Sequence, residues 1–167
     1  MNTVLLFDFS VDKENNTIRV VREFDAERAL VWKAWTTAEL LDQWWAPQPY
    51  RNKTKSLDFR EGGTWLYSMT GPENDTHWCR FDYETIAPQE RYTGLDAFCD
   101  EEGKINTDFS RMHWTNVFSE TGERTTVTVT IVLETLETLE KIINMGFKEG
   151  FTAGLNQLEA LLKTLKS

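Results

Sequence analysis

Phe24-Asp25-Ala26-Glu27-Arg28-Ala29-Leu30-Val31-Trp32-Lys33-Ala34-Trp35-Thr36, followed after a short link by Leu40-Leu41-Asp42-Gln43-Trp44-Trp45-Ala46-Pro47, is the stretch on which the reading of this chain turns. Leu30, Val31, Ala34 and Trp35 recur at helical spacing, with Glu27, Arg28 and Lys33 on the other side. This predicts an amphipathic helix over about residues 26–36, capped by Asp25. A second short helix is expected over about 38–44. It must end by Ala46, because the residue before a proline is pushed out of helical angles, and Pro49 repeats the restriction. Trp32, Trp35, Trp44 and Trp45 present more aromatic surface than two short helices bury between themselves, so a curved partner surface must receive them.

On the N-terminal side, residues 3–9 and 17–24 are β-rich and flank the polar cluster Asp12-Lys13-Glu14-Asn15-Asn16, which reads as a hairpin. On the C-terminal side, from about residue 54 to 133, helical spacing gives way to short alternating runs. Leu57 and Phe59 precede Glu61-Gly62-Gly63, a tight turn or bulge. Trp65, Tyr67 and Met69 then alternate with Leu66, Ser68 and Thr70, and Cys79, Phe81 and Tyr83 alternate with Trp78, Arg80, Asp82 and Glu84. Further strands are expected at 91–99, 112–119 and 125–133, joined by Asp100-Glu101-Glu102-Gly103 and Glu120-Thr121-Gly122-Glu123. Short links between successive strands give an antiparallel meander.

Helical period returns near the end. Thr135 is placed to cap a turn beginning near Leu136, and Phe147, Phe151, Leu155, Leu158, Leu162 and Leu165 form an apolar stripe. Gly146, Gly150 and Gly154 lie one step round from it. Each glycine inside a helix costs about 0.8–1.0 kcal/mol against alanine. Three on one face therefore call for a reason: close approach of the helix to the sheet, or room for a ligand beneath it.

Composition bounds the class. At 167 residues the chain is long enough for one domain with an enclosed cavity, and neither a linker nor a low-complexity tract divides it. An apolar fraction of 40% and a charged fraction of 27% are those of a globular protein, without a run that would span a bilayer. Asp8 interrupts the first apolar run and no basic leader precedes it, so a cytoplasmic location is expected. A formal charge of −9 with no basic cluster argues against nucleic acid as a partner. Cys79 and Cys99, each inside an expected strand, read as free thiols, with a redox pair as the alternative if the two lie on neighbouring strands.

The order hairpin, two short helices, antiparallel sheet and long C-terminal helix resembles the helix-grip fold of the START/Bet v 1-like (SRPBCC) superfamily, an α+β class. The sequence is similar to the branch named for the activator of Hsp90 ATPase, the C-terminal domain of the Aha-type co-chaperones. The resemblance rests on Phe24-Asp25-Ala26, Val31-Trp32-Lys33-Ala34-Trp35-Thr36, Leu41 and Trp44-Trp45-Ala46-Pro47. It continues through Asp58-Phe59-Arg60-Glu61-Gly62-Gly63-Thr64-Trp65, Tyr67-Ser68-Met69 and Ile86-Ala87-Pro88-Gln89-Glu90-Arg91 to Met145-Gly146-Phe147, Gly150-Phe151 and Leu158, covering about residues 20–162. It implies a hydrophobic cavity between sheet and helix. Bacterial members of the family are mostly small stand-alone domains. The eukaryotic proteins engage the chaperone with an additional N-terminal domain, for which this chain has no length. The extra segment 3–9 departs from the family pattern and stands as an edge strand or a homodimer contact.

Catalytic signatures are sparse. His77 and His113 form no pair at metal-ligand spacing, and His77 with Cys79 on one strand face supplies only two ligands, so neither metal nor cofactor is expected. No nucleophile elbow surrounds Ser56, Ser68, Ser110 or Ser119, and no phosphate or dinucleotide loop is present. Asp96, His113, Asn116, Tyr67 and Tyr83 are the polar candidates on strand faces. An isolated carboxyl in an apolar cavity would be desolvated and its pKa raised.

The leading expectation is a non-catalytic domain that holds a hydrophobic small molecule, such as a lipid or an aromatic or polyketide-like compound. Trp65, Tyr67, Met69, Phe81 and Tyr83 form the expected inner face, Phe147 and Phe151 with Gly150 and Gly154 the cover, and Trp44 and Trp45 one end. Asp96, Trp114 and Asn116 complete the expected lining. The alternatives are a cyclase- or hydrolase-like enzyme on an aromatic substrate, and a chaperone-interaction module.

Overall fold

In a computed structural model that describes residues 5–166, the chain runs β1 (Phe7–Asp12), β2 (Thr17–Phe24), α1 (Arg28–Thr36), α2 (Ala38–Trp44), β3 (Arg51–Leu57) and β4 (Thr64–Thr70). It continues through β5 (Thr76–Ala87), β6 (Arg91–Cys99), β7 (His113–Thr121), β8 (Arg124–Val132), α3 (Leu136–Asn144) and α4 (Phe147–Leu165). All eight strands form one antiparallel sheet in the order β1-β2-β8-β7-β6-β5-β4-β3. The α1–α2 pair links β2 to β3 at the far edge, and β3 to β8 then return as a meander that closes beside β2. This is an α+β helix-grip fold, with α4 as the gripped helix.

Cross-strand register fixes one inner face. Ile18, Val20 and Phe24 on β2 face the same side as Val127, Val129 and Ile131 on β8, then Trp114, Asn116 and Phe118 on β7 and Tyr92 on β6. The face continues through Phe81 and Tyr83 on β5 to Trp65, Tyr67 and Met69 on β4. Because side chains alternate with period two, the aromatic alternation legible on β4 and β5 lands wholly on this side.

Two clamps hold α4 against it. The buried Arg22 guanidinium donates to Asn156 Oδ1 at 2.9 Å and pairs with Glu159 at 3.1 Å. Gln157 donates from Nε2 to the carbonyls of Trp44 and Ala46 at 3.0 and 2.9 Å, while its Oε1 accepts from the Gln48 N–H at 2.8 Å. Leu155, Leu158 and Leu162 are thereby buried over the sheet with Trp35, Trp44 and Phe118.

Several expectations shift. The expected N-terminal strand begins at residue 3, but residues 1–4 lie outside the described residues; the strand seen is Phe7–Asp12, paired with β2 from Phe7↔Arg22 to Asp12↔Thr17. The hairpin turn therefore sits one step later, and Asp12 Oδ1 accepts from the N–H groups of Glu14 and Asn15. Asp25 does not cap α1, which starts at Arg28 with Glu27 as its extended N-cap and no side-chain cap bond. β3 has no apolar alternation, because it is an edge strand in which only Asn52 is buried.

The C-terminal helical region is two helices. Thr135 caps α3 through a reciprocal box with Thr138, as the sequence indicates, but Gly146 takes φ 93° and starts α4 afresh. Gly146 is thus a left-handed break and not an interior helix position. Gly154 answers to close approach, though to α2 and not the sheet: a Cβ there would stand 3.2 Å from the Trp44 carbonyl oxygen. Cys79 and Cys99 lie on adjacent strands, yet Cys79 is paired with Phe98 and Cys99 with Trp78. The two free thiols therefore face opposite sides of the sheet, which removes the redox-pair alternative.

Candidate functional site: a two-lobed hollow under the start of α4

The concave face is filled under the C-terminal part of α4 and hollow under its beginning. Two adjoining cavities of about 230 and 250 Å³ lie between β4–β7 and the α3–α4 break. Both are lined by Tyr67, Cys79, Asp96, Phe98, Met112 and Phe147. The first extends toward Ile142, Met145 and Gly146, where the half-exposed Phe98 stacks edge-on against Phe109 at 5.0 Å. The second runs inward between Trp45, Pro47, Met69, Phe81, Trp114, Gly150 and Phe151. An apolar cavity of about 150 Å³ already accepts benzene, so either lobe has room for an aromatic ring.

The walls are rings braced against rings. Trp114 lies 5.8 Å from Trp45, 5.7 Å from Phe151 and 6.3 Å from Phe147, and Phe147 stacks on Phe151 at 5.4 Å. Gly150 carries no side chain into the space, and Gly146 lets the chain turn at its rim.

Three polar groups meet at the boundary of the two lobes. Asp96 sits where β6 and β7 part. Its N–H donates to the Met112 carbonyl, and its carboxylate accepts from the Met112 N–H and from the Trp114 indole N–H, both at 2.9 Å. The side chain thus takes the place of a ladder carbonyl. Burial raises its pKa to about 6, against the opposing pull of those two donors and of Arg111. The Tyr67 hydroxyl accepts from the Trp45 indole N–H at 3.1 Å, and Cys79 is the cross-strand partner of Tyr67 on β5. Burial holds Tyr67 well above its ordinary value and pushes Cys79 up to about 12, so both stay protonated at neutral pH.

Of the residues expected to line a cavity, Trp45, Tyr67, Met69, Phe81, Asp96, Trp114, Phe147, Gly150 and Phe151 are brought together around the two lobes. Five stand elsewhere. Trp44 is locked in the core with its indole N–H on the Ala34 carbonyl at 2.9 Å, and Gly154 packs under it. Trp65 donates to Thr54 Oγ1 at 2.9 Å and stacks on the far side of Tyr67 at 4.0 Å. Tyr83 is buried against Phe59 at 4.9 Å, and Asn116 is buried beside Tyr92 with its Oδ1 unpartnered among the described residues.

His113 faces the outer side, 2.7 Å from Glu84 Oε1, because its register partners are Leu95 and Val132; it is withdrawn as a cavity acid or base. His77 shares the strand face of Cys79 but is exposed beside Asp75, at 3.4 Å. Sequence reasoning missed Phe98, Met112 and the α3 end. Phe98 could have been found, since it is in phase with Asp96 on β6; Met112 and Met145 lie in loops and carry no periodic signal.

A sheet curled around a clamped helix, with a ring-walled hollow at one end, defines a helix-grip domain. Residues 25–163 match the family described as Activator of Hsp90 ATPase homolog 1-like protein, and the chain belongs to that family. Among solved structures it is similar to a Mycobacterium smegmatis protein at 26% identity and TM-score 0.86, covering 95% of this chain and 97% of that one. An Arthrobacter aurescens protein is 28% identical with TM-score 0.88, covering 94% and 91%. A Staphylococcus epidermidis protein is 30% identical with TM-score 0.83, covering 95% and 96%. No curated protein matches. Among the described residues no helix is long and apolar enough to cross a membrane.

Proposed function

We propose that this protein binds a small, largely apolar molecule in the hollow beneath the start of α4. The observation behind the reading is a ring-walled space next to a fully packed core, with Gly150 withholding a side chain from it. Burying about 300 Å² of apolar ligand surface gains roughly 7 kcal/mol before an association cost of several kcal/mol, so shape alone gives weak binding. Selectivity then falls to the polar groups at the lobe boundary, Asp96 and Tyr67.

The test is a thermal-shift and native mass spectrometry screen with neutral one- and two-ring aromatic compounds, run beside Gly150→Phe, which places a ring in the inner lobe. Binding by the parent and loss of it in Gly150→Phe is the expected result. Equal binding by both, or none by the parent, counts against the reading.

The convergence of Asp96, Tyr67 and Cys79 favours one second reading, a proton-transfer enzyme on an aromatic substrate with Asp96 as the acid or base. That reading requires Asp96→Asn to abolish turnover while ligand still binds.

A further inference from the structure

The lining of the hollow carries a single formal charge. Among the described residues around both lobes Asp96 is the only ionisable carboxyl, and no Lys, Arg or His side chain joins it. Its neighbours Tyr67 and Cys79 are neutral, so neither answers that charge. Arg111 approaches from behind: its guanidinium engages the Asp82 carboxylate, and it donates to the backbone carbonyls of Asp96 at 2.9 Å and Leu95 at 3.1 Å. The carboxylate itself is left without a cation on the side that faces the hollow.

The hydrogen bonds that Asp96 already makes fix what it can still accept. Both of its partners, the Met112 N–H and the Trp114 indole N–H, are donors, so neither needs the acid proton. Each carboxylate oxygen keeps acceptor capacity for a further donor. Beside it stand the rings of Trp45, Phe81, Trp114, Phe147 and Phe151, whose electron-rich faces attract a cation, the more strongly when it is desolvated. A buried carboxylate and an aromatic enclosure favour the same ligand group.

Resting on the binding reading above, we propose that the hollow selects a lipophilic cation: a ring or short hydrocarbon body bearing a protonated amine, with the ammonium on Asp96 and the body among the rings. The competing pull is the N-terminal end of α4, which opens at Phe147 on the same rim and would draw an anion. Glu149 in its first turn opposes that pull, and an anion in either lobe would meet Asp96.

Three shape-matched probes test the proposal by calorimetric titration at neutral pH: 2-(2-naphthyl)ethylamine, the corresponding alcohol and the corresponding carboxylate. The amine is expected to bind the parent protein about tenfold or more tighter than the alcohol, as a charged hydrogen bond gives, with the carboxylate weakest. In Asp96→Asn the advantage of the amine over the alcohol should disappear. Equal binding of amine and alcohol to the parent overturns the cationic preference and leaves the binding reading standing. Tightest binding of the carboxylate overturns it in favour of the helix end. Failure of all three to bind overturns both readings. The ranking on the parent protein decides the matter even if Asp96→Asn does not fold.

Discussion

The two ends of α4 lie over the same curved sheet and meet it differently. Toward the C-terminus, Leu155, Leu158 and Leu162 interdigitate with Trp35, Trp44 and Phe118, and the space is filled. Toward the N-terminus, Phe147 and Phe151 span β4–β7 as a half-buried roof, and two lobes remain beneath them. Aromatic density is high at both ends, so ring content alone does not decide whether a face packs or stays open. The backbone decides it. Gly154 lets α4 settle onto the Trp44 and Trp45 carbonyls, whereas Gly150 only reaches Pro47 and Gly146 is the left-handed break at which α4 begins.

The largest expected contrast is in stability. Trp44→Ala removes a side chain that is 1% exposed together with its bond to Ala34, and should cost about 3–5 kcal/mol. Phe147→Ala, a half-buried wall beside open space, should cost about 1–2 kcal/mol. Urea unfolding midpoints measure both, and equal losses would erase the distinction between the packed and hollow ends.

A second contrast lies in pH. Folding raises the Asp96 pKa from 3.8 to about 6, chiefly by burial, so between those values the folded chain holds a proton that the unfolded chain has released. Its contribution to stability is therefore largest below about pH 4, falls as pH rises through that window, and stays low above it. The span is ~2–3 kcal/mol, toward the lower end because Asp96 keeps some solvent contact. At Asp82 burial also raises the pKa, but bonds from Arg80, Thr64 and Arg111 outweigh it and lower the value, so that group works in the opposite sense. The difference between the parent and Asp96→Asn isolates the Asp96 effect. The parent should gain stability relative to Asp96→Asn on acidification, and a difference constant from pH 4 to 7 would contradict the burial of that carboxyl.

The smallest contrast is between two glycines a helical turn apart. Gly154→Ala should lose about 1 kcal/mol net, since its methyl would press on the Trp44 carbonyl at 3.2 Å. Gly150→Ala meets only Pro47 at 3.8 Å and should gain roughly 0.5–1 kcal/mol from helix propensity. The same sign for both would place them in equivalent surroundings.

Much of this was legible where burial imposes a period. α2, β6, the Thr135 cap and the inward phase of Trp65, Tyr67, Phe81 and Tyr83 follow from spacing, and the raised pKa of Asp96 follows from a lone carboxyl on an apolar face. β3 escaped because an edge strand with polar side chains shows no alternation. The Gly146 break escaped because the apolar stripe runs on in register from Phe147 and gives no sign of where the helix begins. Within the site, the sequence separated ring-bearing residues from polar ones but not core from lining. Trp44 and Trp45 are adjacent in the chain, yet one is bonded into the α1–α2 core and the other walls the hollow. That division depends on how α4 is clamped by Arg22 and Gln157, contacts more than a hundred residues apart in sequence.

The indole N–H resonances offer the most direct test. Titration of the ¹⁵N-labelled protein with 2-(2-naphthyl)ethanol should shift the signals of Trp45 and Trp114, which wall the hollow, and leave those of Trp35 and Trp44 in place. Unmoved Trp45 and Trp114 signals, or equal movement of all four, would contradict a ligand site confined to the open end of α4.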